Sequence, residues 1–369
     1  MIGAKGMPAT IGGIERHVEE LSARLAVGGF DVTVYARPWY TGFAPWSVRM
    51  LRGVRLVTLP SVASKHLDAI THTFLATVHA CLERHDVYHF HGVGPALLSW
   101  IPRLFRPRAR VVVTFHCVDR RHAKWGWFAR TALAWGEWAA CRFPHETITV
   151  GETLATHCQD TFGRVTTCIP NGVVTSPRIP QEVARDALHA LGLTPRKYLL
   201  VVSRLVPHKG IHTVIAAFRQ LQRERKEFRH LALAIVGAPA FTDVYAHELE
   251  IQAGGDSAIR FLGQKTGTTL DVLYQNALAF VHASTSEGLP LVVLEAAAAG
   301  AIPIVSDIPE HREVIARVGG FLFRTGDVWD CMTKLEVAIR CTTESTHIRT
   351  SMQAAVARWF NWEHAAHRT

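Results

Sequence analysis

Apolar positions along the chain follow two alternating periods. Ile14, Val18, Leu21 and Leu25 recur at helical spacing after Gly12-Gly13, and Gly28-Gly29 stop that helix. Asp31–Ala36 and Val54–Leu59 read as strands. Val87–Phe90 and Val111–Phe115 are β-branched or aromatic runs of the kind buried on both faces of a parallel sheet. Helices are predicted over Ile70–Leu82 and roughly Trp125–Cys141. Thr147–Val150 and Thr166–Ile169 close the first half, and Pro170-Asn171-Gly172 marks a turn. A looser stretch with Pro177, Pro180 and Pro195 bounds a helix at Glu182–Leu191. The alternation then restarts. Strands are predicted at Tyr198–Ser203, Leu231–Val236, Ile259–Leu262, Ala279–Val281 and Ile302–Ser306. Helices are predicted at Ile211–Glu224, Val244–Ala253, Thr269–Gln275, after Pro290 and after Trp329. Two βα series predict an α/β protein of two doubly wound, Rossmann-like domains facing across a cleft, with boundaries at 1–174 and 175–355. No G-x-G-x-x-G follows a strand, which weakens a NAD or FAD reading.

Bulk composition agrees with two domains of ordinary size: 369 residues, 48% apolar and 19% charged. No apolar run reaches the roughly 18–20 residues that span a bilayer. The first apolar stretch lacks the basic lead and long apolar core of a signal peptide. Seven scattered cysteines show no metal spacing, which points to a reduced cytosolic chain.

A net charge of +9 calls for an anionic partner, and the charge is uneven. Arg103, Arg106, Arg108, Arg110, Arg120, Arg121, Lys124 and Arg130 crowd one stretch with Asp119 as its only acid. Trp100, Phe105, Trp125, Trp127 and Phe128 are interleaved, and Trp39–Trp46 forms a second aromatic segment. Basic residues with exposed aromatics suit the headgroup zone of an anionic membrane. The plain alternative is a solvated basic face with its aromatics in the core. Nucleic acid is set aside because no recognition motif accompanies the charge.

Candidate chemistry concentrates in Ser284–Gly300. A loop carrying Glu287 leads into a helix with Pro290 in its first turn and Gly300 past its end, and Glu295 lies eight positions after Glu287. Amides around Gly288 and Leu289 are free to meet an anion at the positive end of the helix. Glu287 repels phosphate and suits hydroxyls beside it, so the pair of features fits a nucleotide sugar. Taken alone, the segment reads equally as an amphipathic helix with an acidic start. Arg204 and Lys209, in Ser-Arg-Leu-Val-Pro-His-Lys-Gly, stand between a strand and a helix, where a diphosphate would be neutralised without a metal. In the first half, Gly12 and Gly13 let backbone amides approach a ligand, and Glu15 suits capping of its own helix. His116 follows a strand and is placed for a sugar hydroxyl. Asp119 is placed for the acceptor, and His89 reads as structural. Zinc on His89, His91 and His116 is weighed and set aside, because a third ligand at helical spacing is missing.

These motifs together resemble the retaining GT-B glycosyltransferases of family GT4. The match rests on S-R-L-x-x-x-K-G, E-x7-E, Gly-Gly-Ile-Glu, the Asp86–Gly92 strand, Thr-Phe-His and Ile-Pro-Asn-Gly-Val, in family order over nearly the whole chain. The opening and His116–Gly126 look closest to a bacterial, rhamnosyltransferase-like branch that builds surface polysaccharide. The resemblance implies that Gly12 and Gly13 line the donor diphosphate from the first domain and that His116 contacts the donor sugar. It further implies that Arg204 and Lys209 bind the diphosphate, that Glu287 holds sugar hydroxyls near the anomeric carbon, and that Glu295 binds the ribose. No metal or other cofactor is implied; the nucleoside-diphosphate sugar is a substrate.

Three departures stand out. Cys117 replaces the family's glycine. Relatives have several more apolar residues before Met1, forming a first central strand, so a hole in the sheet is expected unless the true start lies upstream. Phe360-Asn361-Trp362-Glu363 looks like the start of a short closing helix within 356–369 that returns to the first domain. The expected function is transfer of a hexose or deoxyhexose, rhamnose first, to a polyprenyl-linked saccharide by an enzyme held peripherally at the inner face of the plasma membrane. Another GT-B enzyme, such as a nucleotide-sugar epimerase, and a non-catalytic assembly partner are the competing expectations.

Overall fold

The computed structural model describes residues 1–369 apart from 11, 63, 65, 66, 122–125, 241 and 345. Lys124, Trp125 and the expected start of the helix at Trp125 therefore lie outside the described residues. The chain forms two compact units: Met1–Gly172 with Trp362–Thr369, and Val173–Asn361.

In the first unit the strands are β1 (Thr33–Ala36), β2 (Val48–Leu51), β3 (Val54–Thr58), β4 (Val87–His91), β5 (Arg110–Phe115), β6 (Glu146–Thr149) and β7 (Thr167–Cys168). They form a three-stranded sheet, β1-β3-β2, and a four-stranded sheet, β4-β5-β6-β7. All pairs are parallel except β2 with β3. That hairpin was not foreseen. Its two-residue turn puts both Arg52 and Gly53 at positive φ, the geometry that matches strand twist. Residues 1–2 lie where the expected hole would be. The Met1 ammonium reaches Thr33 O at 2.6 Å and Tyr35 N–H donates to Met1 O. Ile2 N–H donates to His89 O at 2.8 Å, His91 N–H donates to Ile2 O at 2.9 Å, and Ile2 is buried. A single bridging segment thus joins β1 to β4. Trp362, at the start of the short helix Trp362–Arg368, is buried with Ile148 and Ile169.

The second unit holds β8 (Tyr198–Val202), β9 (Ala232–Val236), β10 (Ile259–Gly263), β11 (Ala279–His282), β12 (Ile302–Ser306) and β13 (Phe321–Phe323). Their order is β10-β9-β8-β11-β12-β13, all parallel. Alternate residues fill two cores. Leu199, Val201, Leu233, Ile235 and Val281 join one, while Tyr198, Leu200, Ala234, Val236 and Phe280 join the other. A sheet buried on both faces needs this composition. Helix Pro309–Val318, strand β13 and helix Thr346–Trp359 were not predicted. The sheet order reverses between β8 and β11, and ligands of open α/β sheets bind beyond the carboxyl ends of strands at such a point.

Candidate active site

In the first unit, two carboxylates of helix Gly13–Val27 hold the loop that follows residues 1–2. Glu15 Oε1 accepts the Lys5 N–H at 3.1 Å, and Glu19 Oε2 accepts the Ala9 N–H at 2.8 Å. Glu15 therefore ties down the loop instead of capping its helix, and among the described residues no side chain caps Gly12. Gly12 lies at φ 110°, which L side chains rarely adopt, and a Cβ there would also displace the Glu15 carboxylate, so the position favours glycine. Gly12 and Gly13 are exposed at the head of this helix.

His116 directly follows β5 and is buried. His91 Nδ1 lies 3.4 Å from His116 Nε2, and the His17 ring meets the His116 ring edge-on at 4.6 Å. His17 Nδ1 is 2.6 Å from Asn171 Oδ1. His89, as expected, is structural: its Nε2 bonds Thr114 Oγ1 at 2.7 Å. Burial disfavours the charged form of all four rings. It lowers the His17 pKa to about 4 and those of His89, His91 and His116 well below the usual histidine value. Asp119 opens the 3-10 turn Asp119–Arg121 and accepts from Cys117 Sγ at 3.2 Å. Arg120, expected to add to the outer basic face, instead reaches the fully buried Glu137 at 3.0 Å, which also bonds His157.

In the second unit, the loops after β8 and β11 meet. Arg204 is exposed, and no carboxylate pairs with it among the described residues. Lys209 ends the turn Pro207–Lys209. Gly210 follows at φ 63°, where a Cβ would stand 2.2 Å from Ala283 O, and Thr285 N–H donates to His208 O at 2.8 Å. This close approach puts the Lys209 ammonium in an ion pair with Glu287. Glu287 Oε1 also bonds His282 Nε2 at 2.8 Å. Burial pushes the Glu287 carboxyl up, but the Lys209 charge and the His282 hydrogen bond outweigh it and hold the group ionised, well below the usual carboxylate range. His311 Nδ1 lies 2.8 Å from Ser306 O, close to His282.

Gly288 and Leu289 precede helix Leu291–Ala298. Pro290 takes the cap position just before that helix instead of its first turn. Glu295 accepts from Tyr274 Oη at 3.2 Å. Among the described residues, His282, Glu287 and His311 have the chemistry of metal ligands, as do His17, His91 and His116. In the former group the Lys209 ammonium already supplies the neutralising charge.

Comparison with known proteins gives this geometry a family. Residues 11–177 match the family described as Glycosyltransferase Family 4, and residues 189–352 match Glycosyl transferases group 1. A glycogen synthase of Mycobacterium tuberculosis is 30% identical over 348 residues, covering 85% of this chain and 79% of its own. The chain belongs to the GT4 family of glycosyltransferases. An O-antigen chain mannosyltransferase B of Escherichia coli is 26% identical over 193 residues, covering 52% of this chain and 49% of its own. Among solved structures, sucrose-phosphate synthase from Thermosynechococcus elongatus superposes with TM-score 0.81 at 19% identity, covering 97% and 92% of the two chains. Anabaena HepE in complex with UDP-glucose gives 0.79 at 18%, covering 97% and 94%. Such neighbours share the GT-B fold of two Rossmann-like domains.

Three residues around this glycosyltransferase's candidate site escaped the sequence reading. His17 carried a signal: it occupies the apolar stripe of its helix, between Ile14 and Leu21. His282 extends β11 one residue past the predicted end, onto the ligand-binding edge. His311 gave none, because its helix was not recognised.

Proposed function

We propose that this glycosyltransferase moves a hexose or deoxyhexose from a nucleoside diphosphate to a polyprenyl-linked saccharide, retaining the anomeric configuration. The observation that carries the reading is the Lys209–Glu287 ion pair beyond β8 and β11, at the reversal of strand order, with the exposed Arg204 earlier in the same loop after β8. Two cations there match a diphosphate, and an ionised carboxylate beside them matches sugar hydroxyls. HepE, of the same fold, is known in complex with UDP-glucose, which supports a donor of this class.

In this reading Arg204 and Lys209 stabilise the diphosphate as it leaves, without a metal. Gly12 and Gly13 of the first unit, and Gly288 and Leu289 of the second, offer backbone amides to the donor, and Glu295 takes the ribose hydroxyls. His116 contacts the transferred sugar, and Asp119 serves the acceptor. The anomeric C–O bond to the diphosphate breaks and its electron pair leaves on the phosphate oxygen. The acceptor hydroxyl oxygen forms the new bond, and its proton passes to the departing diphosphate. Rhamnose from a dTDP donor is the first sugar to test.

The membrane part of the proposal draws on exposed aromatics. Trp127, Phe128 and Trp135, on helix Trp127–Arg142, are 72%, 80% and 59% exposed, with Arg130 on the same helix. Aromatics packed in the core, the plain alternative, do not describe these residues. Their setting suits an anionic inner leaflet, with the enzyme peripheral and cytoplasmic. No helix among the described residues is long and apolar enough to cross a membrane.

The test is radiolabelled transfer from UDP-, GDP- and dTDP-sugars to polyprenyl-linked acceptors, with product anomers read by NMR. Retained configuration is expected, and Lys209→Ala and Glu287→Ala should each lose nearly all transfer while still folded. Turnover like the wild type in either variant removes this donor site. Donor isomerised without acceptor would indicate an epimerase, and no donor binding an assembly partner.

A further inference from the structure

The first unit contains a histidine cluster of which the proposed sugar transfer uses only His116. His17 comes from helix Gly13–Val27, His91 from the end of β4, and His116 from the residue after β5. One nitrogen from each lies within 4.8 Å of the others, and all three rings are buried. We infer that His17, His91 and His116 form a site for a divalent transition-metal ion of the zinc class.

Four observations carry this. First, Zn–N bonds of ~2.0–2.1 Å at a tetrahedral angle place two ligand nitrogens about 3.3–3.4 Å apart. His91 Nδ1 and His116 Nε2 are 3.4 Å apart, long for a hydrogen bond and right for two ligands of one ion. Second, His17 Nδ1 faces Asn171 Oδ1, which only accepts, so Nδ1 carries the proton and Nε2 presents its lone pair. That Nε2 is buried with no partner among the described residues, a rare condition for a native polar atom. Third, the Asn171 contact is the outer-shell bond that orients metal-binding histidines and fixes their tautomer. His89, anchored to Thr114, stacks on His91 at 4.2 Å and packs that second ring in place without bonding it. Fourth, the cluster is all imidazole. Neutral nitrogen donors suit zinc, copper, nickel or cobalt and offer little to magnesium or calcium. Three protein ligands also leave a fourth position open.

Along the chain, the His89 and His91 pair has no third ligand at helical spacing. The missing third ligand is His17, which folding brings from 74 residues before His91. A bound ion would occupy the His116 nitrogen. On the proposed function, where His116 contacts the donor sugar, zinc is therefore an inhibitor of transfer and not a cofactor.

The test is metal binding by chain stripped of metal and carrying no polyhistidine tag. Zn2+ is titrated in competition with a chromophoric chelator, and Co2+ is followed by its visible ligand-field bands. One ion per chain is expected, with the bands of low-coordinate cobalt. His17→Ala should weaken binding at least about 100-fold and Asn171→Ala about 10–100-fold. His311→Ala, in the other unit, should bind as wild type. Circular dichroism confirms folding, and Asn171→Ala still decides if His17→Ala does not fold. Absence of stoichiometric binding, or affinity unchanged in a folded His17→Ala or Asn171→Ala chain, overturns the inference. Binding is read without substrate, so it stands or falls independently of the sugar-transfer reading. Zinc that binds without slowing transfer would overturn only the inhibition.

Discussion

Lys209→Met removes one charge from an ion pair whose two side chains are each only 13% exposed. Breaking a buried pair by deleting one partner costs roughly 3–5 kcal/mol, because the other charge stays buried and uncompensated. Glu287 keeps the His282 Nε2 contact at 2.8 Å, which offsets part of that. The net loss should be about 2–3 kcal/mol. For a unit of this size, that lowers Tm by roughly 4–12 °C. Glu287→Gln leaves an ammonium on a flexible stem that can turn towards water, so about 1–2 kcal/mol is expected. The double variant Lys209→Met/Glu287→Gln carries neither charge. Its loss should fall short of the summed single losses by about 1–3 kcal/mol. Calorimetry and urea unfolding followed by circular dichroism provide the values. Lys209→Met within about 0.5 kcal/mol of wild type, or strict additivity in the double variant, would refute the argument that these charges support each other.

Other positions give independent checks. Gly210→Ala places a Cβ at φ 63° against Ala283 O and should cost roughly 2–4 kcal/mol by urea unfolding, against near-neutral behaviour at the exposed Gly126. His72 is buried, bonds Ala36 O at 3.0 Å, and has its pKa lowered to about 4, first by burial and then by Arg37, against a partial offset from Asp68. The unfolded chain binds a proton there that the folded chain refuses between pH 6.5 and about 4. Stability is thus full above the unfolded value and falls with pH through that window. His72→Leu should remove about 2 kcal/mol of the loss between about pH 7 and about pH 5, read as a flatter pH profile than wild type. Trp127→Ala/Phe128→Ala should weaken cosedimentation with anionic vesicles at least about tenfold and leave neutral vesicles, bound weakly throughout, little changed. Equal binding by the double variant would move the membrane contact elsewhere.

The sequence made the second unit largely readable because its strands are buried on both faces. Runs such as Tyr198–Val202 and Ala279–His282 announce themselves by composition, and the ligand-binding loops follow from strand ends. Legibility fell where tertiary contact overrides local pattern. Strand β2 is four residues long and largely exposed, so its apolar Val48, Met50 and Leu51 formed no buried run or clean alternation; its turn depends on Arg52 at positive φ, a conformation no local preference for arginine signals. Glu15 had the spacing of a capping residue, yet the Lys5 amide claims it from ten positions away. Arg120 looked like surface charge until Glu137, seventeen positions on, proved to be buried beneath it. The candidate donor residues Arg204, Lys209 and Glu287 were legible by motif. The His282 contact that fixes Glu287 was not, because it arises only when β11 lies beside the loop it leads into.

A donor diphosphate held at the ends of β8 and β11 requires nucleotide binding that depends on Arg204 and Lys209. Thermal unfolding should be measured with UDP, GDP and dTDP and with their sugars, on wild type, Lys209→Ala and Arg204→Ala. At about 100 times its dissociation constant a nucleotide adds about 2.7 kcal/mol, a shift of several degrees. One nucleotide should raise Tm in the wild type and do so far less in either variant. A shift that survives both substitutions, or no shift with any nucleotide, would contradict it.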